Sequence, residues 1–408
     1  MRGRATLEPA GGPGDKVFPP SHSVEKTEKR PGAKYAFETR RLPQGEVVEC
    51  VLLDSVQSQA NRMEEALQAL WDAKKITLPV ITIDFSKVAP DVGMVTSLSA
   101  PHRIADALLR DSLLDGTLFR LTDTGRSFTD ASIRDAAPLF RVCPTGLVFG
   151  LWDSTGPKGG LGAKFARALT SEIVGIGVER GVKTESRIDP AGIVRAAGPL
   201  YIKKRKGDEA LTWTHDAAEA ELDKGAPVLW GSKVKDGKWK PAENAGTPAK
   251  ANHGNIPPSI EVVAGGVTID RAEQTVVISL AGLRRLAFGT EEDSVVARTV
   301  LAALSILAVV AAEHRGHDLR SRCLLVPRVG QALALEAVAR DGSTTAIALD
   351  LDGAISLYQA AVAALPKGLA FDKPPGEALV KLEPSPKLAH LIKESRKLAA
   401  AGADAEES

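Results

Sequence analysis

Ser55, Ser58, Gln59 and Arg62 stand where an apolar run gives way to a polar stretch. Side chains of these types at such a junction can hold a phosphate. The first backbone N–H groups of a helix lack intrahelical partners and face the positive end of its dipole. Ser55 or Ser58 can serve as N-cap, and Gln59 and Arg62, three apart, fall together on the helix surface. Behind them Met63, Ala66, Leu67, Leu70 and Trp71 form an apolar stripe of helical period that seats the helix on a sheet.

A second anion-binding candidate is Ser154-Thr-Gly-Pro-Lys-Gly-Gly-Leu-Gly-Ala-Lys-Phe165, with Arg167 following. Its glycines let backbone N–H groups approach an anion, while Lys158, Lys164 and Arg167 neutralise charge. No Gly-Lys-Ser/Thr ends it, so it is not a Walker loop, and its glycine spacing is not that of a dinucleotide fingerprint. From Lys158 to Lys206 there are eleven basic residues against four acidic ones, in a chain of net charge +1. The densest cluster is Lys203, Lys204, Arg205 and Lys206. The excess continues through Lys233, Lys235, Lys238 and Lys240 around Trp230 and Trp239, an interleaving suited to single-stranded nucleic acid. His102 and Arg103 open a further stretch read as a helix, with Arg103 on its polar side.

Catalytic patterns fail on inspection. The run Leu349-Asp-Leu-Asp-Gly353 resembles a phosphatase loop, but too little chain follows to supply its partners. His314, Gly316 and His317 read as a helix end rather than a metal site. No zinc, nucleophile-elbow or metalloprotease motif occurs, so neither an enzyme nor a cofactor is expected. Three scattered cysteines, Cys50, Cys143 and Cys323, suggest buried thiols in a reducing compartment. The longest apolar run, 300–312, is shorter than the roughly 20 residues that span a bilayer, and a cytoplasmic protein without membrane contact is expected. Aromatic residues make up only 4% of the chain, which argues against a broad stacking surface.

The elements that must position these residues read as follows. Residues 1–45 are an extended N-terminal segment. Residues 46–85 hold a strand (47–53), a helix (58–74) and a strand (79–85). Residues 86–258 are insertions: a helix at 102–114, a strand at 146–152, the glycine-rich loop and an arm poor in aliphatic residues at 207–258. Residues 259–330 carry a hairpin (260–269 with 275–280), a helix (291–313) and a strand (323–326). Residues 331–408 add strands and helices. Without the insertions this order is strand–helix–strand followed by hairpin–helix–strand, an α+β class of split β-α-β, ferredoxin-like type.

Several blocks together carry a family resemblance: Val51-Leu-Leu-Asp-Ser-Val-Gln-Ser-Gln-Ala-Asn-Arg-Met-Glu64, His102-Arg-Ile-Ala-Asp106, 147–165, Leu280-Ala-Gly-Leu-Arg-Arg-Leu-Ala-Phe-Gly289 and 319–327. The chain resembles the backbone subunit of the type I-G (formerly I-U) CRISPR Cascade complex, a Cas-seven-type member of the RAMP superfamily. The resemblance runs from about residue 40 to residue 330. It implies an RRM-like palm with thumb and finger insertions, with neighbouring copies stacked along one CRISPR RNA. The guide then pairs with a target DNA strand, other Cascade subunits complete the complex, and a separate helicase–nuclease does the cutting. It also implies guide-phosphate contacts from Ser55, Gln57, Ser58, Asn61 and Arg62. The matching blocks add His102, Arg103, Lys158, Lys164, Arg167, Arg284 and Arg285 as RNA-binding candidates. The aromatic pair of an ordinary RRM is missing, so binding through phosphates and shape is expected. Two competing readings are a metal-dependent RNA-cleaving relative using Asp54, and a phosphate-ligand protein using the glycine-rich loop.

Overall fold

The computed structural model describes residues 1–23, 34–153, 163–194, 196–205, 211–235 and 238–400. It is a mixed α+β protein with several sheets. Its contacts divide the chain into two units, Met1–Gly181 with Val263–Ala389, and Val182–Val262 with His390–Ser408.

The first unit is built on a nine-stranded sheet. Strands β1 (Arg2–Pro9), β2 (Phe37–Arg41) and β3 (Val47–Asp54) are joined there by two twelve-residue strands, Leu169–Arg180 and Val267–Ile278. The path runs β2, β3, Leu169–Arg180, Val267–Ile278, β1, Cys323–Pro327, His317–Arg320. The N-terminal segment, expected to be extended, therefore supplies an interior strand, with Arg2 opposite Val277. Leu7, Val51, Leu53, Ile173, Ile269 and Leu325 pack together in the core.

Helix α1 (Val56–Asp72) follows β3 directly, and the whole apolar stripe from Met63 to Trp71 is buried, as its period requires. It packs on the strand Leu169–Arg180 and on the long helix Glu291–Arg315. Thr290 caps that long helix and Gly316, at φ 78°, ends it. By length and composition the long helix could cross a bilayer, although the 300–312 run looked too short. Most of its apolar window is buried within the protein.

Four readings of local structure change. The strand Ile81–Asp84, expected in the same sheet as β3, lies outside it and joins a five-stranded second sheet, parallel to Val380–Pro384. The strand that pairs with β3 on the side away from β2 is Leu169–Arg180, which the sequence does not announce because Gly175 and Gly177 disguise it. A Cβ on Gly175 would lie 2.8 Å from Ile269, so glycine lets the neighbouring strand pack closely. The expected hairpin at 260–280 is instead one continuous strand, Val267–Ile278, with a separate strand Ile256–Glu261 before it. The apolar run at 146–152 forms a helix, Pro144–Phe149, and then a two-residue strand, because a short buried apolar run has no period that separates the two states. Finally, 102–114 breaks into a 3-10 turn (Arg103–Ala105), one helical turn (Ala107–Arg110) and a strand (Ser112–Leu114). Asp106 is extended there and caps the second turn through Leu108 N–H at 2.9 Å.

The second unit contains short two-stranded ribbons, among them Lys183–Arg187 with Ile256–Glu261 and Ser232–Lys235 with Lys238–Pro241. The three cysteines are buried free thiols.

Candidate nucleic-acid interface

Ser55 caps α1 by accepting from the Ser58 N–H at 3.2 Å, and the two hydroxyls lie 3.2 Å apart. Gln57, in the first turn, and Asn61, one turn further on, are exposed and spaced i, i+4, so both lie on one face of the helix with Ala60 between them. This face forms one wall of a groove of about 530 Å³. Pro101, His102 and Arg103 line its base, and the opposite wall runs through Gly150, Trp152, Lys164 and Arg167. His102, Lys164 and Arg167 are exposed. Residues expected to bind RNA from three separate segments thus meet on one concave, cationic surface within the first unit.

The second wall is a two-residue ribbon. Leu151 pairs with Phe165 and Trp152 with Lys164. Alternation along the strands turns Leu151 and Phe165 inward, at 6% and 5% exposure, and Trp152 outward at 59%. Lys164 Nζ lies 5.7 Å from the Trp152 ring centroid, a cation–π contact. Gly150 makes the entry to this ribbon possible. Its φ of 85° and ψ of 154° belong to a region reserved for glycine, and a Cβ there would lie 2.8 Å from Arg167 Cγ.

Arg103 holds the two walls together from below. It is buried, at φ 54°, and its guanidinium makes a two-pronged ion pair with Glu64 of α1 (Nε–Oε1 2.6 Å, Nη2–Oε2 2.7 Å). It also donates to the Gly150 carbonyl at 3.2 Å and lies 5.3 Å from the Phe149 ring centroid. Burial pushes the Glu64 carboxyl up to about 7, while the charges of Arg103 and Arg167 pull it down. Arg103 therefore supports the groove floor, a role that the helix reading of 102–114 had hidden.

Gln59 and Arg62 are drawn inward as well. Gln59 is 4% exposed; its Nε2 donates to Asp54 Oδ2 at 2.7 Å and its Oε1 accepts from Ser171 at 2.8 Å. Arg62 Nε donates to Asp54 Oδ2 at 2.9 Å and Nη1 to the Asp318 carbonyl at 3.2 Å, on the side of α1 away from the groove. Arg320 reaches Asp54 Oδ1 at 3.2 Å. Asp54 is fully buried, and both its oxygens are occupied by side-chain donors. A β-bulge opposite it, between Ile173 and Val174, marks the strand end where this network is inserted. His317 Nε2 lies 3.3 Å from Glu313 and belongs to the end of the long helix, as its sequence position suggested.

Arg284 and Arg285 are exposed but do not line the groove. Lys203, Lys204 and Arg205 belong to the second unit, where Lys203 Nζ lies 3.5 Å from Glu219. Lys158, the glycines at 156, 159, 160 and 162, and Lys206 lie outside the described residues. The second unit also carries a feature that composition alone did not reveal. In the ribbon Ser232–Lys235 with Lys238–Pro241, Lys233 stands opposite Lys240 and Lys235 opposite Lys238, with Val234 opposite Trp239. All four lysines are exposed on one face.

Residues 1–180 match the family model described as CRISPR-associated protein GSU0053. The match supports a CRISPR-associated protein with a role in CRISPR defence, and the matched segment contains every residue lining the groove. No curated protein matches the chain.

Proposed function

We propose that this chain is a non-catalytic backbone subunit of a type I Cascade effector, binding CRISPR RNA and polymerising along it. The observation that carries the reading is the convergence of Gln57, Asn61, His102, Lys164 and Arg167 on one groove. Amide and cationic side chains of this kind contact phosphates without reading sequence, which suits a guide whose bases must stay available to a target strand. On this reading the nine-stranded sheet with α1 and the long helix is the palm of an RRM-like RAMP fold, and the second unit supplies thumb or finger elements. What supports the type I-G subtype is the resemblance carried by the sequence blocks. The partners are neighbouring copies, other Cascade subunits and a recruited helicase–nuclease, in the cytoplasm. The RNA-cleaving alternative needs an accessible carboxylate at Asp54, whereas that group is buried between Arg62, Arg320 and Gln59.

The test is purification from cells co-expressing a CRISPR array and the neighbouring effector genes. A large particle with a high 260/280 nm absorbance ratio, carrying array-derived RNA, is expected. Recovery of a nucleic-acid-free monomer from such cells would overturn the reading. Saturable binding of a free nucleotide by that monomer would favour a phosphate-ligand protein, for which the groove volume is adequate.

A further inference from the structure

We propose that Trp152 is a stacking platform for one nucleobase of the bound RNA, with Lys164 and Arg167 on the flanking phosphates. This rests on the RNA-binding reading above and changes one part of it. Binding through phosphates and shape alone leaves no task for an indole in the groove wall.

Trp152 is not needed by the core. The ribbon buries Leu151 and Phe165 on its inner side, while Trp152 remains 59% exposed. A large aromatic surface left in water beside cations fits a partner that is both flat and anionic. A nucleotide meets both conditions: its base presents a π-face, and its phosphate meets the lysine and arginine. The register fixes this pairing of functions, because Trp152 and Lys164 are direct cross-strand neighbours, with Nζ 5.7 Å from the ring centroid. Gln57 and Asn61 on the facing wall supply amide donors and acceptors at the same groove. Stacking is tolerant of sequence, since every base has a π-face, so the platform is compatible with a guide of any sequence.

The experiment uses the full-length protein and fluorescein-labelled oligoribonucleotides of one length, an oligo(A) and its counterpart with abasic sugars. Wild-type protein is expected to bind oligo(A) more tightly than the abasic strand. Trp152→Ala is expected to weaken oligo(A) binding by about tenfold, leaving the abasic strand and the salt dependence unchanged. Trp152→Phe, which keeps a ring and is the safer change for folding, should recover most of the loss. Equal binding of oligo(A) by wild type and Trp152→Ala would overturn the platform while leaving the phosphate contacts standing. Equal loss on both strands would assign Trp152 to groove shape and also overturn it. Failure of the wild type to bind either strand would overturn the RNA reading itself.

Discussion

Arg103 clasps Glu64 through both carboxylate oxygens and donates from its remaining nitrogen to the Gly150 carbonyl. One buried guanidinium thus ties α1 to the ribbon that carries Trp152 and Lys164. Breaking a buried pair on one side leaves an uncompensated charge, so Arg103→Met should cost about 3–5 kcal/mol at pH 8. The pH dependence follows from Glu64, whose carboxyl is raised to about 7 in the folded protein. The native state holds that proton more tightly than the unfolded chain, so this group's contribution to stability falls as pH rises from about 4.5 to about 7. Without Arg103 the pKa rises further, so the fall continues to higher pH and is larger in total. Urea unfolding at pH 5 and pH 8 checks this: the deficit of the variant should be smaller at pH 5.

Gly150→Ala tests whether the ribbon entry sets the groove. The backbone there is nearly restricted to glycine, and the new methyl group would meet Arg167. Destabilisation of about 1–3 kcal/mol is expected, with weaker RNA binding because Arg167 must move. Thermal unfolding and oligonucleotide titration measure the two effects. Unchanged binding would separate Arg167 from the site.

The groove itself predicts a charge effect that is uniform over sequences. Lys164→Glu and Arg167→Glu should each weaken binding to all single-stranded RNAs alike and reduce the salt slope by about 0.7 for each phosphate no longer neutralised. Arg62→Glu, which the sequence places in the same class, should behave differently: its guanidinium is committed to Asp54 and the Asp318 carbonyl. Its effect should appear as lost stability. Titrations at several salt concentrations, paired with unfolding curves, distinguish the two behaviours.

What the sequence reveals and what it hides follow from the range of each signal. Strand β3, the Ser55 cap and the stripe from Met63 to Trp71 are local and periodic, so the helix and its polar lip could be read directly. The same periodicity cannot say that Gln59 and Arg62 turn toward Asp54, because Ser171, Asp318 and Arg320 arrive from distant strands. Arg103 misleads for a similar reason: its partner Glu64 lies 39 positions away, and its positive φ breaks the helix on which it was to be displayed. Two-residue strands carry no period at all. The pairing of Trp152 with Lys164 was therefore invisible, although both residues stood in a recognised block.

Asp54 provides a test of the non-catalytic reading. Asp54→Asn keeps the shape but removes the charge that holds Arg62 and Arg320, so a loss of about 3 kcal/mol or more is expected. RNA incubated with wild-type protein and magnesium should remain intact. Regularly spaced cutting that Asp54→Asn abolished in a still-folded protein would restore the enzyme reading.

The lysine ribbon of the second unit supplies the last prediction. Like charges directly opposed across strands destabilise a ribbon, here Lys235 against Lys238. A polyanion on that face offsets the repulsion by its attraction to each lysine, so the ribbon should be more stable with nucleic acid than without it. Lys235→Glu, which places opposite charges across from each other, should therefore stabilise the free protein slightly, by about 0.2–1 kcal/mol, while weakening nucleic-acid binding. Lys235→Glu with Lys238→Glu restores like charges of the opposite sign and should lose both the stability gain and the binding. Hydrogen exchange of the ribbon amides, with and without RNA, follows the local effect, and salt titration follows the affinity. Binding unchanged in the double variant would remove this ribbon from the interface and leave the groove in the first unit to act alone.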